Sequence, residues 1–303
     1  MKKLLVILLS IVLFCGCAPE KQQEKAVIYA TLFPQYDFCR QIAGDKAQVE
    51  LLLPFGMESH NYEPGVYDIK NISDADMFVY TGAFMEPWAE EIIKTIKTDV
   101  FVLDASLGVE LFEENHQHHE SDGHQGHYDP HIWTSPKNAL IMAQNILDAL
   151  CMLDSKNSAY YIHNANELFN DLKRLDSEFQ ELSVKTKDKV LCHGGKFSLN
   201  YLTGHYGIKF LPAFDSCSSW AEPSVTRIND IILSIKSQNL KAVFYEELTT
   251  GKIADVIKEE TGVEKLLLHS CHNVSLKEYQ NGATYISLME QNVINIKKAI
   301  GEF

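Results

Sequence analysis

Six of the chain's twelve histidines fall in one stretch, residues 116–133, with the sequence HQHHESDGHQGHYDPHIW. The stretch divides into two chemistries. His116, His118, His119, His124 and His127 sit among Gln, Glu, Ser, Asp and Gly. Such a composition cannot bury an apolar face, so it predicts a mobile loop. His131 is different: Ile132 and Trp133 follow it, and Pro130 and Pro136 frame it, which predicts an ordered turn. Neutral imidazole is a common ligand for zinc and related ions. The stretch therefore reads as a loop that collects metal and a fixed histidine that helps to hold it. The plain alternative for the run alone is a solvated polar loop.

The elements that would position other ligands follow from apolar periodicity. Strands are predicted at 26–32, 47–53, 76–81 and 100–103, with helices at 34–42, 64–72 and 87–97 between them. Helices at 136–153 and 158–185 follow. The second of these has Tyr161, Ala165, Leu168, Leu172, Leu175, Phe179 and Leu182 at intervals of three or four, so one face is apolar throughout. The alternation then resumes. Strands are expected at 189–192, 208–212, 241–245 and 264–268, with a helix that follows His193-Gly194-Gly195 and runs through Leu202, and helices at 223–237, 250–261 and 284–300. Strands alternating with helices indicate βαβ units and parallel sheets. The expectation is α/β architecture: two similar lobes with mostly parallel, helix-flanked sheets, an N-terminal lobe at 26–153 containing a His-rich loop at 115–127, a connecting helix at 154–187 and a C-terminal lobe at 188–303.

His60, His193 and His272 each follow the carboxyl end of a predicted strand, where ligands bind in open α/β sheets. His131 lies in the turn leading out of the first lobe. Two facing lobes would bring two histidines each to one point, and four nitrogens close a tetrahedral zinc shell. Imidazole-only ligation favours zinc over manganese, which suits oxygen-rich sites. His269, Cys271 and Glu246 are rivals to His272. Trp133 and Trp220 are candidates for the cleft wall or for the core.

The start of the chain carries an address. Lys2 and Lys3 precede an apolar run at 4–14, which describes a secretory signal at 1–16 and is too short to span a membrane. It ends in FCGC, similar to a bacterial lipobox; Cys17 is the expected lipidation site and Cys15 the weaker one, with 17–25 as a polar tether. Loss of Lys2 and Lys3 with the signal takes the formal charge from −14 to −16. So acidic a chain argues against nucleic acid or anionic lipid as partners and suits one that meets cations. Five cysteines lie beyond Cys17 with no CxxC pair, so a thiolate zinc finger is not expected. Bridges Cys217–Cys271 and Cys192–Cys217 are the candidates for a disulfide.

The segments GMESHNYEP, DPHIWTSPKNA, VLCHGGKF, AEPS and TYISLMEQN occur in this order across nearly the whole chain after the signal. Together they resemble the metal-binding solute-binding lipoproteins of zinc and manganese ABC transporters, and the His-rich loop before DPHIW resembles that of the zinc branch. The resemblance implies two α/β lobes joined by one long rigid helix, a metal between them, and delivery to a membrane permease driven by a cytoplasmic ATPase. It also implies a protein held outside the cytoplasm by a lipid on Cys17, and a monomer. By position, its first three ligand histidines fall on His60, His131 and His193. The family's fourth ligand is usually acidic; here that place holds His272, with Glu246 as the oxygen alternative. The segment FDSCSSWAEPS departs from the family's usual wording.

The leading reading is thus a zinc carrier, with manganese or another divalent metal as the alternative cargo. No HExxH, GxSxG or GK[ST] motif is present. The competing reading from another class is an extracytoplasmic zinc hydrolase using His60, His131 and His193 with Glu246 as general base. A third is a surface lipoprotein that binds host or envelope partners, with metal only stabilising it.

Overall fold

The structure is a computed structural model that describes residues 25–113, 128–214 and 223–302. Cys15, Cys17, His116, His118, His119, His124, His127, Cys217 and Trp220, all singled out above, lie outside the described residues.

The first sheet is built from β1 (Ala26–Ala30), β2 (Ala47–Leu51), β3 (Met77–Tyr80) and β4 (Phe101–Asp104). Its order is β2-β1-β3-β4, and every pairing is parallel. Parallel strands are covered on both faces, which is why these run as nearly continuous apolar segments. The helices α1 (Phe33–Ala43), α2 (Val66–Ser73), α3 (Ala89–Ile93) and α4 (Pro136–Leu153) accompany them. Helix α1 enters with Pro34 in its first turn, where a missing N–H costs nothing. It stops at Gly44, whose φ of 53° favours glycine and whose missing side chain makes room for the Tyr160 ring.

Helix α5 (Ser158–Lys185) comes next, 28 residues long. It spans roughly 40 Å at about 1.5 Å per residue. The seven apolar residues predicted to share a face are the ones it buries. That face packs on α1 and α4 of the first lobe and on α6 (Asn200–Tyr206) and α10 (Tyr285–Ile300) beyond it. The second sheet comprises β5 (Val190–His193), β6 (Lys209–Pro212), β7 (Ala242–Tyr245) and β8 (Glu264–Leu267) in the order β6-β5-β7-β8, again parallel. Helices α7 (Val225–Gln238), α8 (Lys252–Thr261) and α9 (Leu276–Gln280) complete it. The two lobes thus repeat one topology. In each, the strand order reverses at the same place, between β1 and β3 and between β5 and β7. No helix among the described residues is long and apolar enough to cross a membrane.

Three elements differ from the periodicity. Helix α3 is shorter than 87–97 because Thr95 turns its hydroxyl onto the Ile92 carbonyl at 2.8 Å, tightening the last turn. Helix α6 begins five residues after Gly195, since Gly194 and Gly195 are poor helix formers held in a close turn. A side chain at Gly194 would strike the Ala254 backbone. Helix α9 was not expected, although Ser275 and Glu278 form the capping box that announces it. Among the described residues Cys39, Cys151, Cys192 and Cys271 are free, and Cys217, the shared partner in both candidate disulfides, lies outside the described residues. The Cys192 sulfur faces the Ile231 carbonyl inside the second lobe, and that of Cys271 faces the His269 carbonyl.

At the first lobe's reversal point the crevice is filled by the protein itself. Thr31 follows β1 and Thr81 follows β3, and both bind the buried Glu86. Thr31 Oγ1 donates to Oε1 at 2.5 Å, Thr81 Oγ1 to Oε1 at 3.0 Å and Thr81 N to Oε2 at 3.0 Å. Gln35 backs this network by donating to Thr81 Oγ1. Burial, opposed only in part by these donors, raises the Glu86 carboxyl from 4.5 to about 7. A carboxyl raised on folding contributes most stability below its unfolded value and loses it as pH rises through its folded one. Glu86→Gln, which cannot ionise, should therefore flatten the pH profile of thermal unfolding. It should exceed the parent by roughly 3 kcal/mol at pH 8.5 and match it near pH 5. Parallel profiles for the two proteins between pH 5 and 8.5 would show that Glu86 is not protonated in the fold.

Candidate metal centre

His60 lies beyond β2 in a short 3-10 turn, Ser59–Asn61, capped by Glu58, whose carboxylate accepts from His60 N at 3.4 Å. The ring stays exposed and reaches across to His131, where the two Nε2 atoms stand 3.0 Å apart. Two nitrogens each about 2.05 Å from a tetrahedral zinc are roughly 3.3 Å apart, so this pair is within a few tenths of an ångström of one edge of a metal shell.

His131 is only 3 % exposed. Asp129, two residues before it, accepts from both its backbone N (2.8 Å) and its Nδ1 (2.7 Å). The other carboxylate oxygen takes the Asn200 amide at 2.6 Å, and the Asp129 carbonyl takes the Tyr201 hydroxyl at 2.8 Å, both from α6 of the second lobe. Burial opposes the charge on Asp129, yet His131 and Asn200 hold its carboxyl below the usual range. With Nδ1 donating to Asp129, Nε2 is the nitrogen turned to His60. Trp133 is core rather than cleft wall. It is fully buried, lies edge-on to His131 with ring centroids 5.5 Å apart, and donates its indole N–H to the Ser270 carbonyl at 2.7 Å.

The second lobe contributes His193 and His272. His193 is the last residue of β5 and is 2 % exposed. Burial pushes its imidazole down to about 4, so it is neutral. Its Nδ1 accepts the Gly195 N–H at 3.2 Å. This holds the ring proton on Nε2, so ligation through Nε2 requires that bond to be given up. His272 follows β8 on a turn and is 9 % exposed. Its Nδ1 lies 2.7 Å from Glu247 Oε1 and 2.8 Å from Ser270 Oγ. Its Nε2 is buried with no hydrogen-bond partner, and the nearest acid, Glu58, is 3.9 Å away. A buried, unpartnered imidazole nitrogen fits a dication, which replaces the lost water.

Glu247 was not singled out from the sequence; Glu246 was. The structure turns Glu246 over Gly195, in the space a side chain there would need. Glu247 is 4 % exposed and accepts from Ser270 N at 2.8 Å and from Ser270 Oγ. Burial works against its charge, but His269, His272 and Ser270 hold its carboxyl well below the usual range. His269, the nearer rival of His272, packs behind Glu247 with Nδ1 3.7 Å from Oε1. It accepts the Cys271 N–H through Nδ1, and its Nε2 faces Glu278 at 3.8 Å.

Three non-glycine residues among those described have positive φ. Asn239 ends α7; the other two, Leu248 (57°) and Cys271 (66°), immediately follow Glu247 and immediately precede His272. Left-handed backbone at such residues costs about 1–3 kcal/mol each and persists where the surroundings impose it. His205, read as a helix-end residue, is half-buried in the last turn of α6 with Nδ1 2.7 Å from Ser135 Oγ. His163 is exposed on α5, 3.9 Å from Glu167.

Electrostatics joins these groups into one neighbourhood. His272 responds to Glu247, Glu58 and His131, Glu58 to His272 and His60, and His193 to Glu247. Among the described residues, however, no three His, Cys, Asp or Glu side chains already stand as a closed metal shell. The close pair is His60 with His131. The signals for the missed partners are local: Asp129 stands two residues before His131, and Ser270 two before His272.

Residues 28–299 match the family described as zinc-uptake complex component A, periplasmic. The high-affinity zinc uptake system protein ZnuA of Bacillus subtilis is 32% identical over 288 residues, covering 93% of this chain and 89% of that one. The zinc-binding lipoprotein AdcA of Streptococcus pneumoniae is 32% identical over 309 residues and is longer, so that 98% of this chain spans 61% of it. The crystal structure of the Zn(II)-bound ZnuA-like domain of that AdcA superposes with a TM-score of 0.76 at 30% identity, over 91% of this chain and 99% of that domain. The chain belongs to the zinc-uptake complex component A family.

Proposed function

We propose that this protein captures Zn2+ outside the cytoplasm and delivers it to the membrane permease of an ABC-type uptake system. It is a solute-binding component and not an enzyme, so the hydrolase reading falls with the family assignment. The observation that carries the reading is the convergence of His60 and His131 at 3.0 Å, beside a buried His272 Nε2 with no partner.

His60, His131, His193 and His272 are the ligands in this reading. Their nitrogens come from both lobes, and imidazole donors suit zinc better than manganese. Glu246, whose carboxylate lies over Gly195 with a buried, unpartnered Oε2, is the alternative oxygen ligand. His116, His118, His119, His124 and His127 serve as a weaker collecting loop. The lipid-bearing residue is Cys17, which keeps a monomeric carrier at the outer face of the bacterial cell membrane, close to the permease.

A ligand that binds only the folded form stabilises it in proportion to ln(1 + [L]/Kd), about 4 kcal/mol at a thousandfold excess over Kd. Metal-free protein should show a large thermal shift near one equivalent of Zn2+ and little with Mn2+. Equal shifts with both metals would overturn the zinc assignment, and none with either would overturn the carrier.

His60→Ala and His272→Ala should each weaken zinc binding at least tenfold in a chelator competition; unchanged affinity removes that residue from the shell. Deleting residues 115–127 should abolish the weaker extra ions and leave the tight one. Loss of the tight site on deletion would mean that the loop histidines belong to it.

A further inference from the structure

We propose that Glu247 is the positioning and charge-setting residue of the metal site: from behind His272, its carboxylate fixes that ring with Nε2 facing outward and supplies an anion that four imidazoles lack. The inference rests on the zinc-carrier reading above and goes beyond it by assigning a residue outside the shell. Four neutral imidazoles around a dication leave both positive charges uncompensated, in surroundings where His131, His193 and His272 are nearly sealed from water. A buried carboxylate one residue away from the metal answers that excess without occupying a coordination position.

Three observations single out Glu247. Among the described residues its hydrogen-bond contacts are all donors, Ser270 N at 2.8 Å, Ser270 Oγ and His272 Nδ1 at 2.7 Å, so both oxygens are turned to the Ser270–His272 segment and Oε1 meets the ring nitrogen opposite Nε2. It therefore acts through His272. The ring it holds presents a buried Nε2 with no partner, the state a ligand nitrogen needs before metal arrives. And the backbone is left-handed at Leu248, directly after Glu247, and at Cys271, directly before His272, so strain flanks both members of the pair.

The corresponding pair in the first lobe is built differently. Asp129 holds His131 in the same sense, but it also binds Asn200 and supports Tyr201 of the other lobe. Removing Asp129 would thus disturb the lobe contact as well as the ligand. The hydrogen bonds of the Glu247 carboxylate end at Ser270 and His272. Removing one partner of a buried charged pair outright, as in Glu247→Ala, costs stability in its own right, whereas Glu247→Gln keeps the shape and one accepting oxygen, so affinity and metal-free stability are read side by side.

The test uses the full protein and three variants at this position. Glu247→Gln keeps the shape and removes the charge; it should lower zinc affinity 10- to 100-fold while the metal-free protein unfolds within a few degrees of the parent. Glu247→Asp, which keeps the charge, should recover at least part of that loss, and Glu247→Ala should recover none. Long-range 1H–15N spectra of the metal-free parent should show His272 protonated on Nδ1, with Nε2 losing its distinct signal in Glu247→Ala. Zinc affinity unchanged in Glu247→Gln, with His60→Ala and His272→Ala still weakened, overturns this inference and leaves the carrier intact. A large fall in metal-free stability with no change in affinity assigns Glu247 a structural role and also overturns it. Failure of the parent itself to bind zinc overturns the carrier reading instead; the His272 proton position then reports on Glu247 independently.

Discussion

The turn that carries His272 is bound to the opposite lobe, and the geometry of the centre depends on that attachment. The Ser270 carbonyl takes the Trp133 indole N–H, the His272 carbonyl takes Phe33 N at 3.2 Å, and the Val274 carbonyl takes Gly56 N at 2.9 Å. Asn273 donates its amide to the carbonyls of Pro54 and Met57, in the loop that leads to His60. His272 therefore arrives on a strand of the second lobe but is held by the backbone of the first. Tyr279 adds a stacked contact with Phe55, centroids 4.3 Å apart, and a hydroxyl bond to Tyr36 at 2.9 Å. Tyr285 on α10 donates its hydroxyl to the Trp133 carbonyl and its backbone N–H to the buried Asp37. So many directional bonds across one junction oppose a wide hinge between lobes at this point, because opening there would leave several buried donors and acceptors unpaired.

Charge follows the same plan. Histidine supplies nitrogen without charge, and the negative partners stand one step back, Asp129 behind His131 and Glu247 behind His272. Each carboxylate fixes which ring nitrogen keeps the proton and which is offered forward. His193 has a backbone N–H at its Nδ1 instead of a carboxylate, so it is the ring whose hydrogen bonding must change most on binding metal. Glu58, exposed between His60 and His272, brings a further negative charge to the mouth of the site.

The repeated strand order gives two crevices of one kind, and the protein uses them unequally. In the first lobe the crevice is closed by Thr31, Thr81 and Glu86. In the second it is lined by His193 at the end of β5 and by Glu246 and Glu247 after β7. The pair Gly194–Gly195 is what makes this possible. One glycine lets the turn approach the Ala254 backbone, and the other leaves room for the Glu246 carboxylate.

Much of this could be read from the sequence because local chemistry fixes it. The apolar face of α5 was legible in seven evenly spaced residues, since a helix returns to the same side every three or four positions. That His60, His193 and His272 lie at or beyond the ends of strands was legible from the turn residues and apolar runs around them, although His193 is itself the last residue of β5. The placement of Glu246 and Glu247 was not. Neighbouring carboxylates at a strand end are equivalent until the backbone chooses between them, and here Leu248 in a left-handed turn accompanies Glu247 facing inward and Glu246 facing Gly195. The bond from Asn200 to Asp129, which backs His131, and the support of the His60 loop by Asn273 were equally out of reach. These partners lie 71 or more residues apart in the chain, and only packing around α5 brings them together. The sequence alone determined which atoms can bind a metal, because that is a property of the side chain. Tertiary structure decided which nitrogen of each ring faces forward and which anion stands behind it, because those depend on hydrogen bonds between segments that local periodicity does not relate.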